Sequence, residues 1–139
     1  MVSLDEVGRM ATALPEVAEG SERDRRTWAV AGKAFAWERH FSKADIKRYG
    51  DAAPPDGPIL AIRVEDLSEK EALLAAHGPS AFTIPHFDGF AAILVQLRTV
   101  RKPALRELLL DGWLACAPTD LARQHLARSR GTAVRRSSR

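Results

Sequence analysis

Cysteine is almost missing from this 139-residue chain. Cys116 stands alone, which excludes an internal disulfide framework, and its apolar neighbours read as the setting of a buried, inert thiol. No apolar run approaches the roughly 20 residues of a membrane span. The first residues, MVSLDEVGRMATAL, carry acids where a secretory signal would carry its apolar stretch, so the expected compartment is the cytoplasm, with no membrane partner. A GxSxG elbow is absent, the serines sit in polar loops or near the C-terminus, and the four histidines lack metal-ligand spacing. No catalytic set, metal site or cofactor site is predicted.

Acidic residues are missing from one end. Residues 123–139 hold six Arg and no acid, a charge of +6, whereas residues 1–122 hold 15 Lys+Arg against 18 Asp+Glu, a charge of −3. The net +3 therefore belongs to the last segment. With few large apolar groups, residues 129–139 are expected to form a disordered basic tail, and residues 1–128 a single domain large enough to bury a core without staples. A basic arm gains affinity for polyanions by releasing counterions; a solubilising terminus explains the same composition.

The apolar pattern within residues 1–128 predicts α+β. Ser3 and Glu6 have capping-box spacing ahead of Val7, Met10, Ala11 and Leu14, and Pro15 ends that helix. PEVAEGSERDRRT reads as a connection. Trp28 and Val30, then Phe35, Trp37 and Arg39, alternate around Ala31-Gly32 as a hairpin. SKADIKRYGDAAPPDGP reads as a loop despite one possible helical turn. A strand from Ile59, a helix from Asp66 or Ser68 to His77, a second hairpin turning at Asp88-Gly89 and a helix opening at Pro103 follow, with one more short helix before the tail. Leu105, Leu108, Leu109, Trp113 and Cys116 mark the packed face of the Pro103 helix. The expected fold is a mostly antiparallel sheet of about five strands with helices on one face. Leu60, Ile62 and Val64 should face those helices, with Ala91, Ile93, Val95 and Leu97. Ile59, Ala61, Arg63, Phe90, Ala92, Leu94 and Gln96 would face outward, unless a strand reverses its phase.

The stretch TWAVAGKAFAWERH contains Gly32-Lys33, but a phosphate-cradling P-loop needs further glycines and a hydroxyl where Ala34 stands. A hairpin corner bearing a cation is the simpler reading. His86 and Asp88 lie two apart in IPHFDG, as a turn-stabilising pair or, less simply, a metal or acid/base pair. The aromatics Trp28, Phe35, Trp37, Phe41, Phe82, Phe87, Phe90 and Trp113 read as core, yet Trp37 and Arg39 would share one strand face, a pairing that can stack a base and neutralise a phosphate. Between residues 22 and 48 stand Arg23, Arg25, Arg26, Lys33, Arg39, Lys43, Lys47 and Arg48 against Glu22, Asp24, Glu38 and Asp45.

In their order and spacing, ALPEVAEG, the W-x-V-x-G-K-x-F run from Trp28 to Phe35, IPHFDGF and DGWLACAP resemble the MmcQ/YjbR family of small bacterial proteins, across nearly the whole expected domain. The resemblance implies a frataxin-like (CyaY-like) α+β fold and a DNA-binding role through two wing-like hairpins, here residues 28–37 and 82–96, with Lys33 on one tip. No catalytic residue is carried over. The leading expectation is a non-enzymatic DNA-binding protein whose phosphate contacts are Arg25, Arg26, Lys33, Arg39, Lys43, Lys47 and Arg48, assisted by the C-terminal arginines. The alternatives are a protein- or peptide-interaction module using an uncovered sheet face or strand edge, and a small-molecule site around His86, Asp88 or His40.

Overall fold

Helix α1 (Leu4–Thr12) begins at the predicted capping box, Ser3 Oγ accepting from Glu6 N–H at 3.1 Å while the Glu6 carboxylate accepts from Ser3 N–H. The chain then runs β1 (Val17–Glu22), β2 (Arg25–Val30), β3 (Lys33–Arg39), α2 (Lys43–Tyr49), β4 (Ile59–Arg63), α3 (Leu67–His77), β5 (Ala81–Phe82), a single 3-10 turn (Pro85–Phe87), β6 (Ala92–Gln96), α4 (Lys102–Cys116) and α5 (Thr119–Ser137). This computed structural model describes residues 1–137, with side chains described through Arg128. The expected disordered tail, 129–139, lies outside the residues whose side chains are described; the backbone of α5 enters it.

The six strands form one sheet in the order β1-β2-β3-β4-β6-β5, antiparallel at every pairing. Four elements differ from expectation. In place of a tight turn at Asp88-Gly89, β5 and β6 are joined by a loop holding the Pro85–Phe87 3-10 turn. The last helix, α5, is longer than the short one expected. The other two precede β4. PEVAEGSERDRRT is no mere connection, because β1 pairs along its whole length with β2, from Val17↔Val30 to Glu22↔Arg25. Its side chains are nearly all exposed, so it has none of the apolar alternation that marks a half-buried strand. Part of the charged stretch after β3 is α2, capped reciprocally by Ser42 and Asp45.

The main core lies between one face of the sheet and the helices α1 and α4. Trp28, Val30, Leu60, Ile62, Ile93, Val95 and Leu97 meet Leu105, Leu108, Leu109 and Trp113 there, and all are buried. Gly112 lets α4 lie directly on the sheet: a Cβ at that position would stand 2.7 Å from Ile62 Cγ2 and 3.1 Å from Arg63 O. Asp5 of α1 and Glu19 of β1 both hold Arg26, at 2.7 and 2.9 Å, and Trp28 Nε1 donates to Glu19 at 2.8 Å. That knot fastens α1 across the first two strands.

The opposite face is partly covered rather than open. Ile59, Ala61, Ala92 and Leu94 face outward, as their alternation predicts, yet they are buried beneath Ile84 and Phe87, with Phe41, Tyr49, Phe82 and Trp37 around them. A second, smaller core therefore fills the middle of that face. Only toward β1, β2 and the start of β3 does the face reach solvent.

Candidate functional site

The β2–β3 turn is two residues long, with Val30 paired to Lys33 and positive φ at both Ala31 (48°) and Gly32 (82°). Positive φ at both central positions is what the type I′ turn requires, and its twist suits the strands it joins. Between Trp28/Ala29 and Ala36/Ala34 the register shifts by one residue. Phe35 is the extra residue in β3, and it enters the main core beside Ala36. Simple alternation would put Phe35, Trp37 and Arg39 on one face. The bulge sends Phe35 inward and leaves Trp37 and Arg39 on the other side.

Pairing of β3 with β4 begins at Ala36↔Ile62, so Lys33, Ala34 and Phe35 run past the last β4 partner. The hairpin thus overhangs the sheet. Between this overhang and the loop that carries the 3-10 turn lies a concave groove of about 1030 Å³. Arg25 and Thr27 of β2, Lys33 and Trp37 of β3, Arg63 of β4 and Arg23 of the β1–β2 turn line it on one side; His86, Phe87 and Phe90 line the other.

Charge in the groove is of two kinds. Arg39 is already engaged: it meets the buried Asp45 carboxylate at 2.9 Å, donates to His40 O, and lies 5.6 Å over the Phe87 ring. Burial pushes the Asp45 carboxyl up, but hydrogen bonds from Ser42 and Arg39, with the Arg39 charge, outweigh it and hold the group below its ordinary 3.8. Arg23, Arg25, Lys33 and Arg63, in contrast, have no carboxylate within 4.0 Å among the described residues. Arg63 is held through Nε, which donates to Ala91 O at 3.1 Å, and its guanidinium sits 5.1 Å over Phe90. Its terminal nitrogens have no acceptor among the described residues.

Two acids also line the groove, Glu22 at the end of β1 and Glu38 near the end of β3. Glu38 accepts from Arg26 N–H at 3.2 Å and meets His40 Nε2 at 2.9 Å. Burial raises its pKa, while the bonds from His40 and Arg26 and the charges of His40 and Arg25 prevail and leave it below 4.5. Cys116 forms part of the groove wall; burial pushes its thiol above the ordinary range, so it is protonated at neutral pH.

The far wall depends on a side chain that composition and spacing do not reveal. Lys70 of α3 is only 6% exposed, and its Nζ donates to Phe87 O at 2.7 Å and Phe90 O at 2.9 Å. Burial lowers its pKa, opposed by the charge of Asp88. The loop it holds presents an aromatic shelf: Trp37 and Phe90 centroids lie 6.3 Å apart, Phe87 and Phe90 5.4 Å apart, and Phe90 is 37% exposed.

Of the seven residues expected to contact phosphate, Arg25, Lys33 and Arg39 line this groove. Arg26 points to the face covered by α1, bound to Glu19 and Asp5. Lys43, Lys47 and Arg48 lie exposed on α2, outside the groove. Arg63 supplies the cation that the second hairpin itself lacks. Among the described residues, no three His, Cys, Asp or Glu side chains come together as a metal site, and no helix is long and apolar enough to cross a membrane.

No family model matches the chain. It is 40% identical over 132 residues to uncharacterized protein Rv2570 and to uncharacterized protein MT2646, both of Mycobacterium tuberculosis, covering 93% of this chain and 99% of each relative. Uncharacterized protein Mb2600 of Mycobacterium bovis is similar to the same extent. Among solved structures, the crystal structure of Deinococcus radiodurans protein DR2400, a DUF419 domain, aligns with a TM-score of 0.58 at 22% identity, over 82% of this chain and 78% of that one. That likeness supports the α+β architecture.

Proposed function

The chain belongs to one family with the mycobacterial proteins Rv2570, MT2646 and Mb2600, and from that premise we propose that it is a non-enzymatic nucleic-acid-binding domain whose seat is the groove beneath the β2–β3 hairpin. One observation carries the reading: Arg23, Arg25, Lys33 and Arg63, none with a carboxylate partner among the described residues, converge on one concavity that also holds Trp37 and Phe90. Glu22 and Glu38 share the groove but are outnumbered by Arg23, Arg25, Lys33, Arg39 and Arg63, and this local positive excess on a domain of slight negative total charge amounts to a site for polyanions. The resemblance to the MmcQ/YjbR family, with its assigned DNA-binding role, agrees with the proposal, and a cytoplasmic location is part of what is proposed. Relative to two phosphate-bearing wing tips, the contact area moves to the inner side of the first hairpin and to Arg63.

The test is a titration of labelled oligonucleotides at about 50 mM salt and upward, where binding should weaken linearly in log–log form. Lys33→Ala should reduce the slope by about one. Arg26→Ala is the control, since that guanidinium faces Glu19 and Asp5, and it should leave the slope unchanged. Absence of salt-dependent binding would end the proposal.

A further inference from the structure

We infer that the strand held in this groove is single-stranded, with an unpaired base stacked on the shelf formed by Trp37 and Phe90. The inference rests on the groove being a nucleic-acid seat, and it specifies which form of nucleic acid enters. In a duplex both faces of each base are covered by neighbours, so an aromatic shelf has nothing to stack on, and surface cations alone would suffice. Here the cations and the rings are interleaved. Arg63 is anchored by Nε to Ala91 O, lies 5.1 Å over Phe90, and keeps its terminal nitrogens without acceptors among the described residues. Phe90 is 37% exposed although Phe87 beside it is buried, Trp37 is half-buried, and Lys70 fixes the Phe90 carbonyl at 2.9 Å. An exposed ring held in place, beside a guanidinium free to meet phosphate, is the arrangement by which single strands are bound without reading their sequence.

Trp28 and Trp113 are fully buried. A fluorescence change on binding without unfolding therefore reports on Trp37, the remaining tryptophan. The experiment titrates the full chain with oligothymidylate, oligouridylate, a mixed-sequence duplex and thymidine monophosphate at one salt concentration. Labelled-strand anisotropy and intrinsic fluorescence are both read.

The expected result is single-strand binding at least on the order of tenfold tighter than duplex binding, with quenching of Trp37. Trp37→Leu should weaken the single strand by on the order of tenfold, with Trp37→Phe recovering much of the loss. Should Trp37→Leu fail to fold, Phe90→Ala and the wild-type quench decide the matter. The thymidylate and uridylate arms distinguish DNA from RNA. Equal binding of duplex and single strand with unmoved fluorescence would overturn the inference while the cationic groove stands. Binding of the mononucleotide as tightly as the oligomer would also overturn it. Binding of no nucleic acid would remove the underlying reading as well.

Discussion

Lys70→Met tests what holds the groove's far wall. Methionine keeps most of the aliphatic stem but loses the ammonium that donates to Phe87 O at 2.7 Å and Phe90 O at 2.9 Å. Hydrogen bonds involving a charged group contribute about 1.5–3 kcal/mol net of the water bonds they replace. Since one ammonium makes both bonds, the expected loss is that of about one such bond, about 2–3 kcal/mol. For a chain of this size that is a fall in Tm of about 5–10 °C. The pH dependence supplies a second signature. Because the folded-state pKa of Lys70 lies below its ordinary 10.5, the unfolded chain binds more protons between those two values, and wild-type stability gains a contribution as pH rises through that window. The variant should lack it. Urea unfolding across alkaline pH measures both effects, and amide exchange at residues 86–92 should accelerate in the variant. An unchanged or higher unfolding midpoint, with exchange in the loop unaltered, would refute the assignment of Lys70 as the strut of this wall.

Other substitutions probe the frame and the engaged cation. Gly112→Ala places a methyl 2.7 Å from Ile62 Cγ2; overpacking of this kind should destabilise by about 1–3 kcal/mol in denaturant titration. Asp45→Asn leaves Arg39 without its carboxylate and weakens the cap of α2; the loss should be about 2–3 kcal/mol, below that of a fully buried pair because Arg39 still reaches solvent. Since the Asp45 pKa is depressed below 3.8, the carboxylate's contribution is present above that value and is lost as pH falls through the lower folded one. Acid unfolding of Asp45→Asn should lack this component.

Much of the fold was legible in the sequence, and what was hidden has physical causes. The capping box of α1, the apolar face of α4 and the inward and outward sets of β4 and β6 all follow from spacing, because each element buries one side against the main core. β1 was illegible because its side chains are mostly in water on both faces and its turn uses Arg23 and Asp24 at positive φ, where Asn-Gly would have advertised a hairpin. The second core had a visible sign: ILAIR is apolar at four successive positions, as a strand buried on both faces must be. The bulge at Phe35 left none, since Ala34 and Ala36 suit either face. Lys33 and Arg25 were identifiable as candidates from local charge. Sorting them from Arg26 and Arg39 required their partners, Glu19, Asp5 and Asp45, of which Asp5 is distant in sequence and the other two are brought close by a hairpin and by the start of α2. Arg63 was readable as outward-facing, but its approach to Phe90 depends on the loop held by Lys70.

The central claim is that nucleic acid contacts the groove and not the basic surface at large. Two triple variants separate these directly: Arg25→Ala/Lys33→Ala/Arg63→Ala within the groove, and Lys43→Ala/Lys47→Ala/Arg48→Ala on exposed α2, each removing three cations. Salt-dependent titration of a single-stranded oligonucleotide should show the groove triple lowering the log–log slope by about two to three, with the α2 triple close to wild type. A slope that falls with the α2 triple and survives the groove triple would contradict the account.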